Sequence, residues 1–418
     1  MIVGSGGREH AIAWRCAEEG HKVYCTPGNP GIAQVAECIP LAAQTSIHFL
    51  ELANLIDADL TIVGPEAPLV DGIVDHFELH GRRIFGPTSR AAQLEGSKAY
   101  SKNFMARHGI PTARFQVFDT LEDAQLALAR FEYPVVLKAD GLAAGKGVVI
   151  AKNKKDALDA LEALFSGSLV GSAGSRVLIE DFWRGEEVSF IAICDHDTAL
   201  PLAPTQDHKA IFENDEGPNT GGMGAYCDDR ILTPEQKAYV MEHIILKTLR
   251  GMANEGAPFR GFLYAGLMMT SEGPQVLEYN VRLGDPETQA LLYRIESGFT
   301  ETVFAATEGR LPSAKLKLKP GATACVVMAS YGYPGPVRNG DAIHGTEGTK
   351  NATVFQAGTK LQGETLQTAG GRVLGVTAAG NNLRTALNNA YEAVNQIKFD
   401  GMQFRRDIGQ KGLKRYTE

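Results

Sequence analysis

Over residues 1–90, short apolar runs that stop at glycine or proline alternate with stretches whose apolar positions recur every third or fourth residue. The runs have the pattern of buried strands, the stretches that of helices packed on one side. Residues 1–3, 21–25, 59–63 and 83–85 read as strands, separated by helices ending near Glu19 and spanning about 70–80. Turn chemistry follows several of these runs: Gly4-Ser5-Gly6, Thr26-Pro27-Gly28, Gly64-Pro65 and Gly86-Pro87. This rhythm predicts an α/β fold opening with a parallel sheet, its ligands gathered at the C-terminal strand ends.

A helical pattern over 91–108 stops at Gly109 and Pro111. Strands at 133–138, 148–151 and 177–180 with a helix near 155–165 predict a small α+β module, joined through a Gly/Ser-rich connection at 166–175. Two apolar segments, 258–270 and 275–281, flank Ser271-Glu272-Gly273-Pro274 and predict a hairpin. Beyond a Lys/Pro linker at 315–320, strands at 324–329 and 372–378 precede a helix over 382–397 and a basic tail, 405–415.

With 418 residues the chain exceeds one compact core. Its net charge of −8 argues against a nucleic-acid binder. The six cysteines form no C-x-x-C pair, so neither a zinc site nor a disulfide framework is expected, and a reducing cytoplasm is. No apolar run approaches the roughly 18 residues of a membrane helix, and no signal-peptide pattern opens the chain.

The densest chemistry lies at Glu278, Asn280 and Arg282, which on a strand project from one face. A carboxylate beside an amide oxygen suits a hard cation that keeps phosphate oxygens among its ligands. The guanidinium can grip a carboxylate or phosphate through a bidentate pair. The plain alternative is a solvated polar strand face.

Other motifs are less specific. Three residues separate Gly141 from Gly145, and Gly147 follows Lys146, so residues 141–147 are not a Walker A loop. Their backbone N–H groups can still wrap a polyphosphate beside Lys138, or form an ordinary hairpin tip. Residues 4–9 mimic a dinucleotide fingerprint, but Glu9 stands at the third glycine position and no acid ends the second strand. A lone phosphate, a sugar phosphate or no ligand at all fits that turn. Gln206-Asp207-His208-Lys209 and the glycine-dense 214–226 form a second polar region. His208 by itself fits a hydrogen-bonded structural histidine more often than a catalyst, and no nucleophilic triad or H-E-x-x-H occurs.

Taken in order, Gly6 to Ala11, Thr61 to Leu69, Gln93 to Lys98, Lys138 to Val148, Gln206 to Lys209, Gly217 to Tyr226 and Asn280 to Gln289 resemble the phosphoribosylamine–glycine ligase family of the ATP-grasp superfamily. The resemblance spans nearly the whole chain. It implies an N-terminal phosphoribosylamine-binding α/β domain (1–97), an ATP-grasp core (98–317) with an inserted lid at about 119–180, and a C-terminal mixed α+β domain (318–418). It also implies a cytoplasmic, monomeric purine-biosynthetic enzyme acting on ATP, glycine and 5-phosphoribosylamine with Mg²⁺ or Mn²⁺, touching neither nucleic acid nor membrane.

By the same resemblance, Lys98 and Lys138 reach ATP phosphates under the loop of Gly145, Lys146 and Gly147. Glu180, Asp181 and Phe182 form the adenine hinge, and Glu187 holds the ribose. Glu278 and Asn280 are implied metal ligands, and Arg282 the cation facing an acyl phosphate. Asp207, His208, Asp285 and the Asn219-Thr220-Gly221-Gly222 turn surround glycine and the ribosylamine. Gly7, Glu9, Asn29 and Gly31, completed by Lys360 and Arg372, take the phosphoribosyl side. Two departures stand out: only three residues precede Gly4, where the family has a fuller first strand, and strand 261–269 carries no acid that could add a metal ligand. Two rival readings are a carboxylate–amine ligase for a different amine and a nucleotide-binding regulator without catalysis.

Overall fold

The computed structural model describes residues 1–142, 147–169 and 174–416. A five-stranded parallel sheet opens the chain, in the order Glu37–Cys38, Tyr24–Pro27, Ile2–Gly4, Thr61–Val63, Ile84–Phe85. Strand order reverses around Ile2–Gly4, which places a crevice at its C-terminal end. Glu9 fills this turn: its Oε2 accepts from the Gly6 N–H at 2.5 Å. A Cβ on Gly64 would lie 2.1 Å from Glu9 Oε1, so the following strand end must be glycine there.

The second strand starts at Tyr24 rather than residue 21, because the helix Gly7–Glu18 is still closing there. The His21 N–H bonds the Cys16 carbonyl, and Gly20 turns the chain at φ +85°. The expected helix over 91–108 is split at Ser97, whose backbone is extended and whose Oγ caps Lys98–Arg107 by accepting from the Tyr100 N–H at 3.0 Å. That break starts a fresh helix at Lys98. Helix Ser46–Leu55 and the ten-residue strand Glu186–Asp195 lie outside the elements expected from the sequence.

Four antiparallel strands, Phe115–Phe118, Val177–Asp181, Val135–Ala139 and Val148–Ala151, carry helices Leu121–Ala127 and Lys154–Phe165. The apolar core beneath them, including Leu137, Leu161 and Ile179, is separate from the rest. This lid is slightly wider than the expected 119–180.

The main sheet has nine strands. Its path runs Gly273–Asn280, Arg260–Thr270, Glu186–Asp195, Thr205–Asp207, Gly224–Cys227, Ala322–Ala329, Arg372–Gly380, Ala352–Gln356, with Thr198–Pro201 pairing to Glu186–Asp195. Ala322–Ala329 pairs with Gly224–Cys227, so the ladder crosses the expected boundary at 317/318 without interruption. The largest apolar cluster likewise includes Val3, Phe190, Val326 and Ile408. Each such buried side chain contributes about 1.5–3 kcal/mol, which ties the N-terminal, central and C-terminal segments to one core.

The expected hairpin forms from Arg260–Thr270 and Gly273–Asn280. Its register shifts between Gly266 and Leu267, so Glu278 faces Gly266 while Val276 faces Leu267. The extra residue, Leu277, turns its carbonyl to accept from Lys138 Nζ at 3.1 Å, as bulges beside functional sites do. Among the described residues no helix is long and apolar enough to cross a membrane.

Candidate active site

Lid, hairpin and the first parallel sheet's C-terminal edge enclose a cleft of about 430 Å³. Glu278, Asn280 and Arg282 all line it. Burial pushes the Glu278 carboxyl up, but Lys209, Lys138, Lys98 and Arg282 together outweigh it and hold the group below its ordinary range. It is an anion waiting among cations.

Arg282 is held tightly. Its Nη2 pairs with Glu95 Oε1 at 2.9 Å and donates to Asn280 Oδ1 at 3.1 Å, while Nε pairs with Glu66 Oε2 at 3.2 Å. Glu95, nearly buried, also accepts from the Val281 N–H at 2.7 Å, so one carboxylate fixes both the strand end and the guanidinium. Arg8, donating to the Leu283 carbonyl at 3.1 Å, completes this corner.

Lys98 Nζ donates to the Gly141 carbonyl at 2.9 Å; burial lowers its affinity for a proton, and Glu278 opposes that most strongly. Lys138 and Lys102 each meet Glu180 Oε2 at 2.9 Å. Burial would raise the Glu180 carboxyl, yet these two lysines keep it below the ordinary range. Among the described residues, the other Glu180 oxygen and the Trp183 Nε1 are buried with no hydrogen-bond partner. Val136, Val148 and Ile150 of the lid face Met268 and Leu277 of the hairpin across the cleft. Apolar walls with a few unpaired polar groups suit a flat heteroaromatic ring. Asp181, Phe182, Gly147 and Glu187 line the same space; Gly145 and Lys146 lie outside the described residues.

Strand alternation splits the motif at 206–209. Asp207 and Lys209 face the cleft, and Lys209 Nζ pairs with Glu187 Oε2 at 2.7 Å. Burial first, then Glu287, Glu187 and Glu278, raise the Asp207 carboxyl to about 7 against the pull of Lys209. Gln206 and His208 point the other way. The His208 Nε2 accepts from the Gly409 N–H at 3.1 Å, Nδ1 lies 3.3 Å from the Gly224 carbonyl, and burial pushes the ring down to about 4. His208 is therefore a neutral, enclosed histidine that forms no part of the cleft wall, in place of the catalytic position expected from the sequence.

The phosphoribosyl-side residues divide as well. Arg372 bonds the Gly221, Gly222 and Asp285 carbonyls and pairs with Asp285 Oδ2 at 3.1 Å; Asn219, Thr220 and Gly221 line the cleft beside them. Burial works against the Asp285 charge, but Arg372 and Arg8 hold its carboxyl below the ordinary range. Gly222 is buried just behind, with the Cβ position 2.5 Å from Pro286. Glu9 is enclosed as helix cap and partner of Arg8. Asn29 is fully engaged: its amide donates to the Ser5 and Gln356 carbonyls and its oxygen accepts from the Gly31 and Ile32 N–H groups. Gly7 and Gly31 pack tightly, against Gln289 and against His10 with Gln356. None of these four is among the residues that line the cleft of about 430 Å³. Lys360 is exposed on the two-stranded ribbon Thr359–Gln362/Thr365–Thr368, away from the cleft.

Several lining residues lay outside the expected set. Lys209 follows from period-two alternation with Asp207, and Lys102 from its i+4 spacing to Lys98. Glu66, Glu95 and Glu287 lie within the motif blocks of the family resemblance but had no role expected of them, and Tyr264 had no local signal; Tyr264 Oη donates to Glu287 Oε1 at 2.5 Å in the cleft.

Family models for phosphoribosylglycinamide synthetase match the chain in three consecutive pieces: the N domain over residues 1–95, the ATP-grasp (A) domain over 96–288 and the C domain over 323–411. The chain belongs to the phosphoribosylglycinamide synthetase family. A family relative, the phosphoribosylamine–glycine ligase of Vibrio vulnificus (strain YJ016), is 47% identical over 425 residues, covering 99% of this chain and 98% of that protein. The crystal structure of phosphoribosylamine–glycine ligase from Thermotoga maritima superposes with a TM-score of 0.86 at 36% identity, covering 97% of this chain and 99% of that one. Beyond the synthetase family, the biotin carboxylase domain of Hydrogenobacter thermophilus 2-oxoglutarate carboxylase, solved with MgADP and bicarbonate, has a TM-score of 0.73 at 17% identity over 96% of this chain and 91% of that one. That likeness shows a shared ATP-grasp fold.

Proposed function

We propose that the protein joins glycine to 5-phospho-β-D-ribosylamine, using ATP, through a glycyl phosphate intermediate, and so forms glycinamide ribonucleotide, ADP and phosphate in purine synthesis. The observation that carries this reading is the row Glu278, Asn280, Arg282 lying opposite Lys98 and Lys138 in one cleft with an apolar slot at its end. Adenine suits the slot between lid and hairpin, beside the hinge Glu180, Asp181 and Phe182 and the unpartnered Trp183 N–H. Lys98, Lys138 and the turn at Gly147 suit the phosphates, and Glu187 the ribose.

The carboxylate and amide oxygens of Glu278 and Asn280 form an all-oxygen donor pair, and Glu278 is kept ionised, so the pair fits Mg²⁺ or Mn²⁺. Such an ion supplies neutralisation of the phosphate charge. The remaining work falls to side chains. A glycine carboxylate oxygen attacks the γ-phosphorus, ADP leaves, and Arg282 offsets charge on the new acyl phosphate. The ribosylamine nitrogen then attacks the carbonyl carbon, the C–O bond to phosphate breaks, and the amine sheds a proton. Asp207, with its carboxyl raised to about 7, is placed in the cleft to take that proton. Asp285 and Arg372 join the 219–222 turn at the ribosylamine end. Exclusion of water by the lid protects the acyl phosphate from hydrolysis.

An ADP-release assay with glycine and ribosylamine supplied separately and together tests the reading. Sustained release should need both substrates. Equal release with a different amine in place of the ribosylamine, or none under any combination despite ATP binding, would contradict it.

A further inference from the structure

The segment 405–416 contributes no residue to the cleft wall, yet it grips the strand that does. Arg405, only 1% exposed, donates to the Ala210 carbonyl at 3.1 Å and pairs with Asp215 Oδ1 at 3.0 Å. Four residues on, the Gly409 N–H meets His208 Nε2. Arg415 closes the series: Nη1 donates to Tyr226 Oη at 2.8 Å and Nη2 pairs with Glu186 Oε2 at 2.5 Å.

From Tyr226 the contact continues toward the cleft. The buried Tyr226 Oη donates to Gln206 Oε1, and Gln206 Nε2 donates to the Glu187 carbonyl at 2.7 Å and to Glu186 Oε1 at 3.1 Å. Glu187 in turn holds Lys209 on the cleft side. The side chains of Gln206 and His208 and the carbonyl of Ala210 are taken from behind, while Asp207 and Lys209 face forward into the cleft. The Tyr226 hydroxyl and both polar atoms of the Gln206 amide are committed, so removing one bond leaves a buried amide or hydroxyl short of a partner and free to reorient.

We propose that Arg415 is a positioning residue for nucleotide binding: through Tyr226 and Gln206 it fixes the Glu187 backbone, and with it the Glu187–Lys209 pair, on which the ATP ribose seats. The inference rests on the reading of Glu187 as a ribose-side residue. It assigns the C-terminal strap a function in the central site that its distance from the cleft wall conceals.

The test uses the full chain with Arg415→Gln, Tyr226→Phe and the double variant. Four quantities are read: the Kd for a non-hydrolysable ATP analogue with Mg²⁺, the separate KM values for ATP and glycine, and the thermal midpoint. Each single variant should weaken the analogue and raise the KM for ATP by about tenfold, the scale of one charge-assisted hydrogen bond, with the glycine KM within about twofold of wild type. The double variant should be no worse than either single one, because both break the same relay. Tyr226→Phe is isosteric and keeps the test open if Arg415→Gln fails to fold. A lowered midpoint with unchanged analogue affinity in Tyr226→Phe would show a merely structural strap and overturn the proposal, as would additive losses. Wild type that turns over normally while the variants bind nucleotide unchanged sinks this inference alone. Wild type that binds the analogue but lacks glycine-dependent turnover sinks the proposed function, and the relay effect on affinity would still stand. A wild-type chain that binds no nucleotide overturns both.

Discussion

Asp207 and His208 are neighbours driven toward neutrality by the same force. Burial disfavours whichever form is charged, so the carboxyl rises to about 7 and the imidazole falls to about 4. Exposure to the cleft then separates their uses. In the role of base proposed for it, Asp207 works only when ionised, so activity should rise with pH through about 7 and fall below it, and Asp207→Asn should lower kcat and flatten that limb. A pH–rate profile of both proteins checks this; an unaltered limb in the variant assigns the ionisation elsewhere. Glu278→Ala should cut turnover by on the order of 10²–10³ with the fold intact by circular dichroism, and near-normal turnover would refute the metal-ligand role. Arg282 is gripped by Glu95, Glu66 and Asn280 in three directions, so Arg282→Lys should recover little of the activity lost in Arg282→Ala. Full recovery by lysine in a steady-state assay would remove the argument from guanidinium geometry.

Among the elements, the hairpin and its polar row were legible in the sequence because period-two alternation is a local signal, carried by residues 276–282 themselves. The break at Ser97 was not, since helical periodicity runs through it, and the extended Ser97 backbone with its Oγ capping the Tyr100 N–H marks the new helix start. Glu66 and Glu95 were illegible for another reason: Glu66 reaches Arg282 across 216 residues of sequence, and no spacing encodes that. His208 was ambiguous in the sequence, and the direction of its side chain decides it. The lid hangs on a similar long-range device, the buried Lys102–Glu180–Lys138 triad. Glu180→Gln leaves two buried ammonium groups without their carboxylate and should cost about 3–5 kcal/mol in denaturant unfolding. Because the Glu180 carboxyl sits below its ordinary range in the folded state, its contribution is present above the unfolded carboxyl's pKa and fades as pH falls through the folded one. The variant should therefore lose part of the acid sensitivity of the wild type, and an unchanged acid-unfolding curve would contradict the pairing.

At the scale of the molecule, one continuous sheet joins the ATP-grasp and C-terminal segments and one apolar cluster ties the N-terminal segment to both, while the lid keeps a core of its own. Such an arrangement lets the lid move as a unit against a rigid base. An ATP analogue should slow amide exchange in Val135–Ala139 and Val177–Asp181 more than in Ala322–Ala329; uniform protection would argue against a separately mobile lid. The central claim is chemical: the carboxylate of glycine receives the γ-phosphoryl group before the amide forms. Glycine labelled with ¹⁸O in its carboxylate tests this most directly, by mass analysis of the phosphate released during turnover. One labelled oxygen should appear in that phosphate and one should remain in the product amide; phosphate without label would rule out the acyl phosphate.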